Sequence, residues 1–319
     1  MRVESLKKCV YIIVILVLTL GLSGCLEEAV ASTEDVVTRS FEVGEGGTLT
    51  MDVHGASIEV DTGKENVVKV KVIRTAKTSN DSEAKEIFDD YEIDFNHSGK
   101  DVTIEAEYDR GSRLFSGMGR YLRIRFMVTV PQTYNLNLKT SGGSISVDEI
   151  AGDVKAKTSG GSLKFAHVKG PVWARTSGGS ITLDGCEGNA DVKTSGGGIR
   201  IGKVHGEVTA ITSGGSIKVK EVMGTINART SGGSVSASIS KQPNGDCRLT
   251  TSGGSVTVYL AEDIKVNLDA KTSGGRVYTD FPVTIQGVIS KRHLKAEING
   301  GGPELYLRTS GGSIHIDKL

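Results

Sequence analysis

An all-β fold, a parallel β-solenoid wound from two-strand coils of about 18 residues, is what the sequence predicts, and three observations predict it. Thr-Ser-Gly-Gly recurs nine times, beginning at Thr140, Thr158, Thr176, Thr194, Thr212, Thr230, Thr251, Thr272 and Thr309. The first five intervals are all 18 residues, the next two are 21 and the last is 37. Between the motifs, apolar and polar residues alternate with period two, as in Ser144-Ile145-Ser146-Val147 and Val154-Lys155-Ala156-Lys157, the pattern of strands with one buried face. The 319 residues include 42 glycines, five prolines and 5% aromatics, a composition for many tight turns around a thin interior.

The N-terminus reads as an address. Arg2, Lys7 and Lys8 precede an apolar run from Val10 to Leu22, which is the layout of an export signal and is short for a membrane span. The run ends in Leu22-Ser23-Gly24-Cys25, which resembles the lipobox of prokaryotic lipoproteins. That resemblance implies cleavage after Gly24, a lipid on Cys25, and an extracytoplasmic protein anchored to the cell membrane or outer envelope. Residues 1–24 are then a signal peptide and residues 25–38, which are small, polar and acidic, a lipidated flexible tether.

Residues 39–138 alternate without the strict period and are expected to form an irregular β-rich cap over the open edge of the solenoid. Strands are expected at Leu49–Val53, Val67–Ile73, Val102–Ala106 and Tyr121–Val130, with one short helix at Ser82–Tyr91 capped by Asp81 or Ser82.

The repeat solenoid occupies residues 139–319, with an insertion near 281–303 that breaks the period. Stacking the units places Ile145, Leu163, Ile181, Ile199, Ile217 and Val235 in one inward column. A second column runs from Val147 through Phe165, Leu183 and Ile201 to Val219; two more start at Ile150 and Val154. Such units cannot bury their apolar faces alone, so like positions must pair in parallel on successive coils, about 4.8 Å apart, roughly nine coils making a rod about 45 Å long. The Ser-Gly-Gly turns are expected to use the positive φ open to glycine, and the Thr and Ser hydroxyls to form hydrogen-bonded ladders along the rod. Cys186 and Cys247 fall on different inward columns and are expected to be buried free thiols. Ile314 and Ile316 are in register with a repeat strand but are followed by no obvious cap, which makes that strand an expected docking edge.

An N-terminal β segment followed by repeated Ser-Gly-Gly-Ser-Ile-x-Val and Gly-x-Val-x-Ala-x-Thr elements resembles, over residues 40–319, the exported repeat family of unknown function commonly labelled putative adhesins. The resemblance implies a surface solenoid, with adhesion carried by the label alone.

The chemistry on offer is a row of cations. Lys139, Lys157, Arg175, Lys193, Arg229, Lys271 and Arg308 each precede a Thr-Ser-Gly-Gly motif, while Ile211 and Thr250 interrupt the row. Strand alternation points them outward, and Trp173 neighbours them as a candidate sugar-stacking aromatic. With 38 basic and 38 acidic residues overall, the field of the whole chain favours no nucleic acid, so any electrostatic recognition is local. The six histidines show no metal-ligand spacing, and no cofactor or metal is expected. Repeated glycine turns without a helix do not make a phosphate-binding loop, and 18-residue coils leave little loop on which to build a catalytic cleft. The function expected is therefore non-catalytic: a lipid-anchored surface scaffold that binds an envelope polysaccharide or a surface protein through solenoid faces. The alternatives are a structural component that self-associates through its solenoid ends, and an envelope polysaccharide-cleaving enzyme using Asp148 and Glu149.

Overall fold

The computed structural model describes residues 32–108 and 122–319. Two facing sheets run the length of the repeat region, joined alternately by the Thr-Ser-Gly-Gly turns and by the turns near Gly152 and its equivalents. One sheet, here called the leading sheet, collects the strands that enter each Thr-Ser-Gly-Gly turn: Val154–Lys157, Val172–Arg175, Ala190–Lys193, Val208–Ile211, Ile226–Arg229 and Cys247–Thr250. The trailing sheet collects those that leave it, such as Leu163–Lys169, Ile181–Cys186, Ile199–Val204 and Ile217–Val222.

The inward columns pair as the period requires: Leu163 faces Ile145 and Ile181, and Ile199 faces Ile181 and Ile217, all in parallel register. Their side chains are at most 2% exposed, so each coil contributes a thin apolar slice to one continuous core and depends on its neighbours for burial. Cys186 and Cys247 are buried free thiols, one on each sheet.

Close approach, and not a left-handed backbone, explains the turn glycines. Positive φ occurs at Gly46, Gly55, Gly99, Gly152, Gly300 and Gly301, none of them in a Thr-Ser-Gly-Gly turn. A Cβ on Gly161 would instead lie 2.1 Å from the Gly143 carbonyl oxygen of the coil below. Each motif threonine turns inward, and its hydroxyl donates across the coil boundary, as from Thr158 to the Gly143 carbonyl (2.8 Å) and from Thr194 to that of Gly179 (2.7 Å). The serine after the glycines accepts from the next coil, as Ser144 Oγ does from the Ser162 amide (3.2 Å). The expected hydroxyl ladders are therefore present, built from buried threonines and exposed serines.

At the N-terminal end, strand Thr33–Glu42 pairs antiparallel with Val67–Ala76, and the Arg74 guanidinium ties the two through an ion pair to Asp35. The tether expected as far as Thr38 thus gives way to a strand at Thr33. Its side chains alternate between half-buried and exposed rather than buried and exposed, which leaves a weak hydrophobic signal. The helix spans Asp81–Asp89 and is capped by Asn80, whose side chain accepts from the amides of Ser82 (3.0 Å) and Glu83 (3.3 Å), one residue earlier than expected. It is not long and apolar enough to cross a membrane, and neither is any other helix among the described residues. The expected signal peptide and the expected lipidation site, Cys25, lie outside the described residues.

Both ends of the solenoid are wound out of chain order. The coil made by Thr48–Val53 and Ser57–Gly63 sits between Asp101–Tyr108 and Leu122–Pro131 on its outer side and Asn135–Thr140 and Ile145–Val147 on its inner side. At the other end, Val283–Ser290 and His293–Ile298 form an antiparallel hairpin within the expected insertion. The chain then returns inward, so that Glu304–Thr309 lies between Cys247–Thr250 and Val266–Thr272. Ile314–Lys318 likewise lies between Val256–Leu260 and Val277–Thr279. The hydroxyls follow the same order: Thr309 donates to the Gly254 carbonyl and Thr272 to that of Gly312, both at 2.6 Å. The docking edge expected at Ile314 and Ile316 is therefore interior; both residues are fully buried and paired on two sides. The edges at this end are Val277–Thr279 on the trailing sheet and Val283–Ser290 on the leading sheet.

Candidate binding face

The basic row lies on the outer surface of the leading sheet. Register places Lys139, Lys157, Arg175, Lys193, Ile211 and Arg229 on successive strands, after which Thr250, Arg308 and Lys271 continue in that spatial order. A parallel row runs beside it, two residues earlier on each strand: Lys155, Trp173, Asp191, Thr209, Asn227, Arg248, Tyr306 and Asp269.

Like charges about 4.8 Å apart repel unless something compensates, and carboxylates do so at selected positions. Asp52 meets Lys139 at 2.7 Å, Asp191 binds Arg175 and stands 3.8 Å from Lys193, and Asp269 meets Arg308 at 2.6 Å. Lys157, Arg229 and Lys271 are exposed and make no ion pair among the described residues. The result is two cation-rich clusters rather than a uniform ladder. Trp173 is 37% exposed, with the Arg175 guanidinium 4.4 Å from its ring centre. The guanidiniums of Arg248 and Arg308 each lie 4.0 Å from the centre of the Tyr306 ring.

Asp269 shows that the second cluster favours anionic charge. Partial burial opposes ionisation of its carboxyl, but hydrogen bonds from Arg308 and His293, together with their charges, outweigh that cost and hold its pKa below the ordinary aspartate value.

Lys155, Asp191, Arg248, Tyr306 and Asp269 belong to this face but do not precede a Thr-Ser-Gly-Gly motif, so a reading anchored on that motif passes them by. The trailing sheet also carries a shorter basic row, Lys164, Arg200 and Lys218, exposed and aligned through Thr182. Asp148 and Glu149 are exposed neighbours just beyond strand Ile145–Val147. Among the described residues, no group of three or more His, Cys, Asp or Glu side chains is arranged to hold a metal ion.

The architecture defines a two-sheet parallel β-solenoid with charged outer faces. By sequence, residues 47–317 match the family described as Toastrack DUF4097, and the chain belongs to that family, whose function is unknown. None of the curated proteins matches it. Among solved structures it is similar to a putative adhesin from Bacteroides fragilis NCTC 9343, at 12% identity over 89% of this chain and 97% of that one, with a TM-score of 0.40. It is also similar to a putative adhesin from Parabacteroides distasonis ATCC 8503, at 10% identity over 89% and 97% of the two chains and a TM-score of 0.37. A protein described as a putative lipid binding protein from the same organism matches at 13% identity over 89% and 96%, with a TM-score of 0.32.

Proposed function

We propose that this protein is a non-catalytic binding scaffold of the cell envelope, held to a membrane by lipid on Cys25, that grips an anionic envelope polymer with the outer face of its leading sheet. The observation that carries the reading is the pairing pattern on that face. Lys157, Arg229 and Lys271 stay exposed and unpaired among the described residues, beside partly neutralised Arg175, Lys193 and Arg308 and the exposed ring of Trp173. A rigid sheet fixes the spacing of these groups, so weak contacts to successive units of a polymer add without a large ordering cost to the protein.

The test is an envelope-polymer and glycan binding array with the full-length protein in detergent micelles. Beside it runs a variant carrying Lys157→Glu, Arg175→Glu and Lys193→Glu, and a control carrying Lys164→Glu, Arg200→Glu and Lys218→Glu on the trailing sheet. Binding that weakens with salt, disappears in the first variant and persists in the second supports the reading. Binding lost equally in both, or absent from the wild-type protein, refutes it.

A further inference from the structure

The two cation-rich clusters are built to one plan. On one strand Trp173 stands two residues before Arg175; on another, Tyr306 stands two residues before Arg308. On the strand that follows in space, Asp191 lies opposite Trp173 and Lys193 opposite Arg175, while Asp269 lies opposite Tyr306 and Lys271 opposite Arg308. On the strand that precedes in space, Lys155 occupies the place that Arg248 takes in the second cluster.

The hydrogen bonds repeat atom for atom. Arg175 Nη1 donates to the Ala174 carbonyl at 3.0 Å and to the Asp191 carbonyl at 2.6 Å, and Nη2 binds the Asp191 carboxylate. Arg308 Nη1 donates to the Leu307 carbonyl at 3.0 Å and the Asp269 carbonyl at 2.7 Å, and Nη2 donates to the Asp269 carboxylate at 2.6 Å. A latch between coils needs only the arginine and the aspartate. It does not call for the additional cations that flank each aromatic, Lys155 and Lys193 in one cluster and Arg248 and Lys271 in the other.

We infer that these clusters are two subsites for a single linear glycan carrying carboxylates, an inference that rests on the polymer-binding reading above. Trp173 offers ring surface for a sugar, with Lys155 and Lys193 placed for its carboxylate. At the second subsite two guanidiniums already stack 4.0 Å from the centre of the Tyr306 ring, and Arg248 and Lys271 supply the grip, the guanidinium edge matching a carboxylate in bidentate fashion. From strand Val172–Arg175 to strand Glu304–Thr309 there are five strand steps, or about 24 Å. The two strands that separate the clusters, Val208–Ile211 and Ile226–Arg229, present Thr209, Ile211, Asn227 and Arg229, which carry less charge.

Size-graded oligogalacturonates, with methyl-esterified chains as the uncharged control, test this by calorimetry on the full-length protein. Affinity is expected to step up by about 100-fold once the chain spans both subsites, and the esterified series is expected to show no step. Lys155→Glu with Lys193→Glu removes the step, and so does Arg248→Gln with Lys271→Glu. Lys271→Glu alone, at an exposed side chain with no ion pair among the described residues, lowers the step without disturbing the fold, which thermal melting verifies. Salt-sensitive binding that rises smoothly with length, or a step that survives the changes at Arg248 and Lys271, overturns the two-subsite inference and leaves the binding face standing. Absence of binding to every charged chain overturns the two-subsite inference and counts against the binding face as well.

Discussion

Replacing Ile316 with alanine tests whether the last coil is interior. Ile316 is fully buried and lies between Val258 and Thr279 in parallel register. The substitution removes three carbons, worth about 2.4 kcal/mol at about 0.8 kcal/mol each. The cavity left between two ordered neighbours should raise the cost to about 3–4 kcal/mol. Ile201→Ala is the internal standard, since Ile201 is 1% exposed between Leu183 and Val219. The two costs should agree within about 1 kcal/mol, whereas an edge residue with a neighbour on one side would lose much less. Their local consequences should differ. Among the described residues, strand Val277–Thr279 joins the trailing sheet only through Ile314–Lys318, so Ile316→Ala should accelerate amide exchange there, while Ile201→Ala should not. Urea denaturation gives the energies and hydrogen exchange read by mass spectrometry gives the location. A cost below about 1 kcal/mol for Ile316→Ala beside a full cost for Ile201→Ala would refute the interior placement, as would unchanged exchange at residues 277–279.

Two further outcomes follow from titratable groups. Burial pushes the Cys186 thiol up to about 11, with a backbone hydrogen bond at Gly188 only partly offsetting the shift, so at pH 8 it should react with a thiol reagent only after urea unfolds its coil; rapid labelling of the folded protein would contradict its burial. Because the Asp269 pKa is lowered on folding, its ionised form stabilises the protein above the ordinary aspartate range near pH 3.9, and that contribution is lost as pH falls through the lower folded value. Asp269→Asn should therefore lower stability at pH 7 and flatten the acid limb of a stability–pH profile; an acid limb identical to that of the wild type would exclude the linkage.

The repeat region was readable because two independent constraints coincide there. Period-two alternation decides which side chains face inward, and the constant 18-residue spacing decides which of them meet, so the column from Ile145 to Val235 pairs as written in the sequence. Neither constraint acts at the ends. Thr230, Thr251 and Thr272 are separated by equal intervals of 21 residues, which is as compatible with stacking the Thr272 coil directly on the Thr251 coil as with placing the Thr309 coil between them. Only pairing between chain-distant strands distinguishes those windings, and local pattern carries no information about it. The turn glycines show a related limit. Their presence announced a turn, but whether they serve a positive φ or the contact of Gly161 with Gly143 depends on the neighbouring coil.

The candidate binding face was legible as a list of cations but not as a pattern of charge, and the cause is the same winding. Trp173 and Arg175 precede Asp191 and Lys193 in the chain, whereas Asp269 and Lys271 precede Tyr306 and Arg308. Read along the sequence, the two groups have opposite orders and nothing marks them as equivalent. The out-of-order coil reverses the second group in space, setting Asp269 and Lys271 on the far side of Tyr306 and Arg308, as Asp191 and Lys193 stand to Trp173 and Arg175. It also brings Arg248 beside Tyr306, across 58 residues of chain. With coils stacked in chain order, Arg248 would instead face Asp269, the aromatic would be absent between them, and the second cluster would not exist in this form. The interior position of the last coil therefore has a consequence on the surface as well as in the core. A loss of register at Ile316 should weaken the Arg248–Tyr306–Arg308 arrangement while leaving that around Trp173 intact, which ties the stability of one coil to the span of the proposed polymer-binding face.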